Sequence, residues 1–458
     1  MTAPPVVRPP VVRPPAVRTP RPVRWAHHPL RAELRGGPAR WAALAMSLTL
    51  LLPLAAKSAY WQGSWYETQE HLHTAATLLG GPLALAAGCW QGGREQRSRM
   101  TELRASAAGG PLAQFLMTAL PVMLGGLAGY AVIVCGVLLA SRPYVSAGWP
   151  LVGPLAADAV FLAAMTMAGT VAGRLWRWRL AAPTLAVCAY VVLGVPTYQS
   201  GAVRFLSPAT FQSGAALPVW WQPLAMAAWT GGLASAAVVA HTVRRHRYTA
   251  VLPLALAVAA AVPVVRTGEE MWHRDPLGER QVCDDSTPRV CVNTLDGGLL
   301  PQVSRALSGV TRRLHGVANV PVRFEDLYRD PHRDEAQLPQ LFLGQSVVRG
   351  ELADPQRFAW EAVAGMVSRD CSNASARVSR TDNAVQDWLI SNSLSRHERR
   401  TDMEHARDGN DTADVATLEA ENRALARLAS LPDDRRRAWL GRYFATAGSC
   451  DPNGVPAL

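Results

Sequence analysis

The chain holds a single lysine, Lys57, in 458 residues. A nucleotide-hydrolysing P-loop needs a lysine behind a glycine-rich loop, in the pattern GxxxxGK[ST]. Lys57 stands in LLPLAAKSAY with no such loop before it. The chain cannot carry a Walker A motif, and if ATP drives it, another subunit must bind the ATP. Charge of either sign is scarce from Trp41 to about Arg266, where Leu, Ala, Val, Gly and Pro run on uncharged. One acid alone, Asp158 in LVGPLAADAVFLAAM, falls inside those runs. HExxH, GxSxG and a cysteine–histidine arrangement are missing as well, so no catalytic role, cofactor or metal is expected. The nearest approach to a metal motif is RHERRTDMEH, with His397-Glu398 and Glu404-His405. On a continuous helix those histidines stand roughly 80° apart and about 12 Å along the axis, too far to share one ion.

What is present divides the chain in two. Seven apolar runs, roughly Trp41–Trp61, Thr74–Trp90, Leu112–Ala140, Leu151–Gly173, Ala181–Gln199, Trp220–Thr242 and Thr249–Val265, have the length a helix needs to cross a bilayer core. GGLAGYA, MAGTVAG and GGLASAA supply small residues that let helix backbones approach closely in lipid. From about Thr267 the chain reads as a charged, water-solvated domain. The expected fold is an all-α polytopic membrane protein of about seven helices, followed by a mainly helical, disulfide-containing extracytoplasmic domain. The expected divisions are a Pro/Arg-rich disordered tail at 1–40, a six-helix membrane domain at 41–248, a seventh helix at 249–266 and the external domain at 267–458.

Arginine placement sets the orientation, because basic residues near helix ends stay in the cytoplasm. With the N-terminus inside, the inner segments hold eighteen arginines, and the outer connections only Lys57, Arg142 and Arg204. Seven spans then place the C-terminal domain outside the cell membrane. From Thr267 onward 24 arginines face 29 acids, so the overall +11 is a topology signal and gives no reason to expect nucleic acid. Four of the seven cysteines, Cys283, Cys291, Cys371 and Cys450, fall in that domain, and an oxidising compartment favours two disulfides. Of three possible pairings, Cys283–Cys291 as a local clip and Cys371–Cys450 as a long tie are favoured. In the first outer loop, WYETQEHLHTA, His71 and His73 lie beside Glu67 and Glu70 and read as an amphipathic lip, with Trp61 and Trp65 as interface anchors. Asp158 is a candidate intramembrane polar site.

Between the second and third runs lies GGREQRSRMTELRAS, long enough for about three helical turns from Glu95 to Ala107. This layout, over about residues 41–248, resembles the ABC-2 class of ABC transporter permeases. In that family six spans begin and end in the cytoplasm, and the loop between spans two and three forms a coupling helix. The helix commonly carries an Arg-Glu pair, then Glu-Leu, then a proline; here these are Arg94-Glu95, Glu102-Leu103 and Pro111. The resemblance implies a separate ATPase subunit, contacted by Arg94, Glu95 and Glu102 with Met100 and Leu103 as apolar anchors, in a homodimer or heterodimer. The seventh span and the external domain depart from the family. They suggest an alternative, a membrane-anchored external binding or sensing module without catalysis, on a degenerate transporter scaffold. A permease-like half joined to a cysteine-bearing external half is similar to actinobacterial membrane proteins, and arginine in place of lysine fits a GC-rich genome.

Overall fold

The computed structural model describes residues 37–458 apart from 99–109, 177, 212–213, 215, 244–247, 328, 370, 372–374, 410–411, 452 and the side chain of Glu95. Seven helices are long and apolar enough to cross a membrane: α1 Pro38–Ala56, α2 Trp65–Gly92, α3 Pro111–Ser141, α4 Val152–Leu175, α5 Ala181–Tyr198, α6 Gln222–Thr242 and α7 Tyr248–Met271. Small residues decide how they cross. A Cβ at Gly88 or Gly92 of α2 would fall onto the carbonyls of Thr166 or Thr170, and one at Gly169 or Gly173 of α4 onto those of Leu85 or Cys89. Two GxxxG faces therefore meet backbone to backbone. Gly125 and Gly129 of α3 admit the backbone of α1 at Ala39 and Ala43 in the same way.

The second helix starts well before the expected Thr74. Ser64 caps it by accepting from the Tyr66 and Glu67 amides, so WYETQEHLHT is helical and enters the bundle. A π turn at Ala76–Gly80 interrupts it. Two local causes act together. Pro82 has no N–H for the Leu78 carbonyl, and the Thr77 hydroxyl donates to the His73 carbonyl at 2.7 Å. The lip expected here is absent, since Trp61 is only 3 % exposed and its indole N–H donates to the Leu54 carbonyl at 2.8 Å.

The C-terminal domain is mainly helical, as expected, and carries a small mixed sheet in addition. Its sheet runs β3 Gln281–Cys283, β4 Arg289–Asn293, β5 Arg323–Glu325 and β6 Glu335–Gln337, with β1 Ala216–Pro218 and β2 Trp272–Arg274 forming a separate ladder. β3 and β4 are antiparallel, whereas β4, β5 and β6 are parallel. Parallel neighbours need a crossover. Helix α8, Leu300–Leu314, supplies it and buries Val303, Leu307, Val310 and Leu314 at helical spacing. The core continues through Phe324, Phe358, Val363, Val378, Val385, Leu389 and Tyr443. Disulfides join Cys283 to Cys291 and Cys371 to Cys450, the expected pairs. Outside this core, α9 Ser393–Asp408 carries His397 and His405 on one continuous, mostly exposed helix.

The domain rests on one end of the bundle at several points. β1, which precedes α6, pairs with β2, which follows α7. The Tyr66 hydroxyl at the head of α2 donates to Asp275. Arg349 donates to Gln62 at 2.9 Å, the Gly298 amide to Ser146 at 2.9 Å, and Arg204 meets Glu269 at 2.7 Å.

Candidate functional site

The polar centre of the helical half is built on α2, α3 and α4. Asp158 lies less than two turns into α4 and is 2 % exposed, a costly place for a carboxylate unless it is paired. His73, just before the π turn of α2, supplies the partner: its Nδ1 stands 2.7 Å from Asp158 Oδ1. The Tyr130 hydroxyl of α3 lies 3.4 Å from Asp158 Oδ2 and 3.2 Å from the Leu155 carbonyl. The pair is ionic when His73 is protonated and a hydrogen bond when it is neutral. His73 Nε2 is buried and makes no hydrogen bond of good geometry, although the Pro208 carbonyl is near enough to act on it electrostatically. It lines a small cavity closed by Phe161, Thr210, Phe211, Met226 and Trp272. His73 packs on Phe211 at 5.0 Å between ring centroids, and Phe211 packs edge-on to Trp272 at 5.0 Å. Trp272 belongs to β2, so the C-terminal domain reaches to within one ring of the buried pair.

The sequence picked out Asp158 but placed His73 on an outer lip, so the pair itself was missed. No spacing rule links two residues 85 positions apart. The available signal was the coincidence of one acid inside a span with one histidine close to another span's end.

At the opposite end of α2, Arg94–Arg97 forms a single helical turn. Arg94 is exposed. Arg97 lies over the Trp90 ring at 4.3 Å and donates to its carbonyl, while Gln96 donates to the Arg174 carbonyl at 2.6 Å. This turn is thereby tied to the ends of both α2 and α4. The expected contact residues Met100, Glu102 and Leu103 lie outside the described residues, as does the side chain of Glu95. Among the described residues no group of three or more His, Cys, Asp or Glu side chains is arranged to hold a metal. No family model, curated protein or solved structure matches the chain.

Proposed function

We propose that the chain is a seven-span membrane protein with a cytoplasmic N-terminus and an extracytoplasmic C-terminal domain, acting as the permease-like subunit of a transporter driven by a separate ATPase. The observation that carries this reading is the course of α2. It begins under the C-terminal domain at Tyr66, passes the His73–Asp158 pair, and ends about 40 Å away at the Arg94–Arg97 turn. One continuous helix thus connects the outer face to the segment where a partner would push.

Two aromatic groups support the membrane placement. Trp149, Tyr198 and Trp220 are exposed at one end of the helices, and Trp41, Trp90, Trp176 and Trp178 at the other, near Arg40, Arg94, Arg174 and Arg179. The two disulfides, on the side where the connections between spans are poor in arginine, suit an oxidising compartment. Photo-crosslinking from position 103 in native membranes tests the coupling. An ATP-binding protein should be captured, and Glu102→Arg should abolish its capture. Failure to capture any ATP-binding protein overturns the reading. The breadth of the seat between domain and bundle favours a second reading, a membrane-anchored binding or sensing module. In that case Glu102→Arg leaves the function intact.

A further inference from the structure

Between the head of α2 and the C-terminal domain lies a cavity of about 170 Å³. The bundle contributes Trp65, Tyr66 and Glu67, and the C-terminal domain contributes Asp296, Asp326 and Phe342. Among the described residues lining it there is no lysine, arginine or histidine, in a chain with 46 Lys and Arg and 11 His.

The two aspartates are held by one neutral group. Asn293 at the end of β4 is 1 % exposed, and its Nδ2 donates both to Asp296 Oδ2 at 2.7 Å and to Asp326 Oδ2. Its Oδ1 accepts from the Asp296 amide at 3.1 Å, so the side chain has nothing further to give. Asp326 is 5 % exposed; its Oδ2 accepts from Asn293 Nδ2, and the Asn293 backbone N–H also acts on the carboxylate. Next door, Asp275 accepts from Tyr66 and the Leu277 amide, again from neutral donors. Two enclosed carboxylates that share one amide are satisfied in hydrogen bonding on one side yet unmatched in charge, and a buried charge needs an opposite partner.

From these observations we infer that the cavity binds a small organic cation carrying an ammonium group. The carboxylates supply the charge, and Trp65, Tyr66 and Phe342 supply aromatic walls of the kind that hold alkylated ammonium ions. An anion is excluded by charge. A bare metal ion is poorly served, since no set of three or more metal-type ligands converges among the described residues. The volume exceeds that of a single ion and suits a compact molecule of several heavy atoms. Because both halves line the cavity, an occupant would fasten the C-terminal domain to α2. The site stands independently of the permease reading.

Calorimetry on the full chain in lipid nanodiscs tests this with choline, tetramethylammonium, guanidinium and the neutral choline isostere 3,3-dimethylbutan-1-ol. Choline should bind at least about tenfold more tightly than the neutral isostere. Asp326→Asn and Asp296→Asn, which preserve shape, should each weaken choline about tenfold or more, while Asp433→Asn on the exposed start of the last helix should change nothing. Trp65→Phe should retain binding and Trp65→Leu lose it. Circular dichroism and melting keep the comparison to folded variants, and the Trp65 pair decides the matter if an aspartate variant fails to fold. The inference is overturned if the neutral isostere binds as well as choline. It is equally overturned if folded Asn variants bind as the parent does, or if no cationic probe binds at about 10 mM.

Discussion

Asp296 shows what unmatched charge does to a single residue. Burial pushes its carboxyl up to about 6, with the charge of Asp326 adding to the effect and the Asn293 hydrogen bond opposing it. Asp326, also raised by burial, faces it from behind β5, and Glu67 and Tyr66 face it from α2. A raised carboxyl means that the folded state holds its proton after the unfolded chain has released it. Folding is therefore penalised as pH climbs from about 4 to about 6, by about 2 to 3 kcal/mol once fully ionised. Asp296→Asn should raise the melting temperature at pH 7.5, with the gain vanishing near pH 4; a pH series of melts checks it. The His73–Asp158 pair, by contrast, is matched already. Asp158→Ala should cost about 3 to 5 kcal/mol, because it strands His73 and removes one of the two acceptors of Tyr130. Adding His73→Phe should return part of that loss, and a double-mutant cycle of melts measures the coupling. Neither arrangement was legible in the sequence, which offers composition one residue at a time. Asp158 was visible as an anomaly, its partner was not, and Asn293 with its two aspartates sits in ordinary polar turns.

The elements were legible to the extent that each carries a period or a length. Six of the seven apolar runs begin within about three residues of their helices. The second missed by nine, since Glu67, Glu70, His71 and His73 lower the hydropathy of a segment that still packs inside. In the C-terminal domain the expected helical content is present. β3, β5 and β6 have three residues each and cannot show an alternation, so the parallel pairing went unread. Small-residue motifs predict contact but do not name the partner. The structure pairs the α2 and α4 motifs with each other. Gly169→Leu should therefore abolish monodisperse protein in size-exclusion chromatography, as its side chain would overlap the backbone of α2 at Leu85. Gly136→Ala, with nothing within 4 Å of its Cβ position, should leave the elution profile unchanged.

At the scale of the molecule, the arginine count makes a statement that labelling can check. Single cysteines at Ser98 and Ser308, in a chain whose native free thiols Cys89, Cys135 and Cys188 are replaced, should react oppositely with an impermeant maleimide in intact cells: Ser308 labelled, Ser98 protected. The reverse pattern would invert the topology. The Cys371–Cys450 tie closes 79 residues, and in the chain-entropy account its loss should cost about 4 to 5 kcal/mol. Cys371→Ser/Cys450→Ser should then melt lower in the C-terminal domain alone.

The π turn of α2 makes that helix a torsional device. Its lower half is keyed to α4 by Gly88 and Gly92 and cannot rotate, whereas its upper half carries Tyr66 and His73 above one surplus residue. An α-helix turns about 100° and rises about 1.5 Å per residue. Absorbing the surplus residue would swing His73 away from Asp158 and unscrew Tyr66 from Asp275 in the same stroke, without any sliding of the bundle. A chain lacking Leu78 would be held in that turned state, its C-terminal domain keeping the β1–β2 ladder but losing the Tyr66–Asp275 contact.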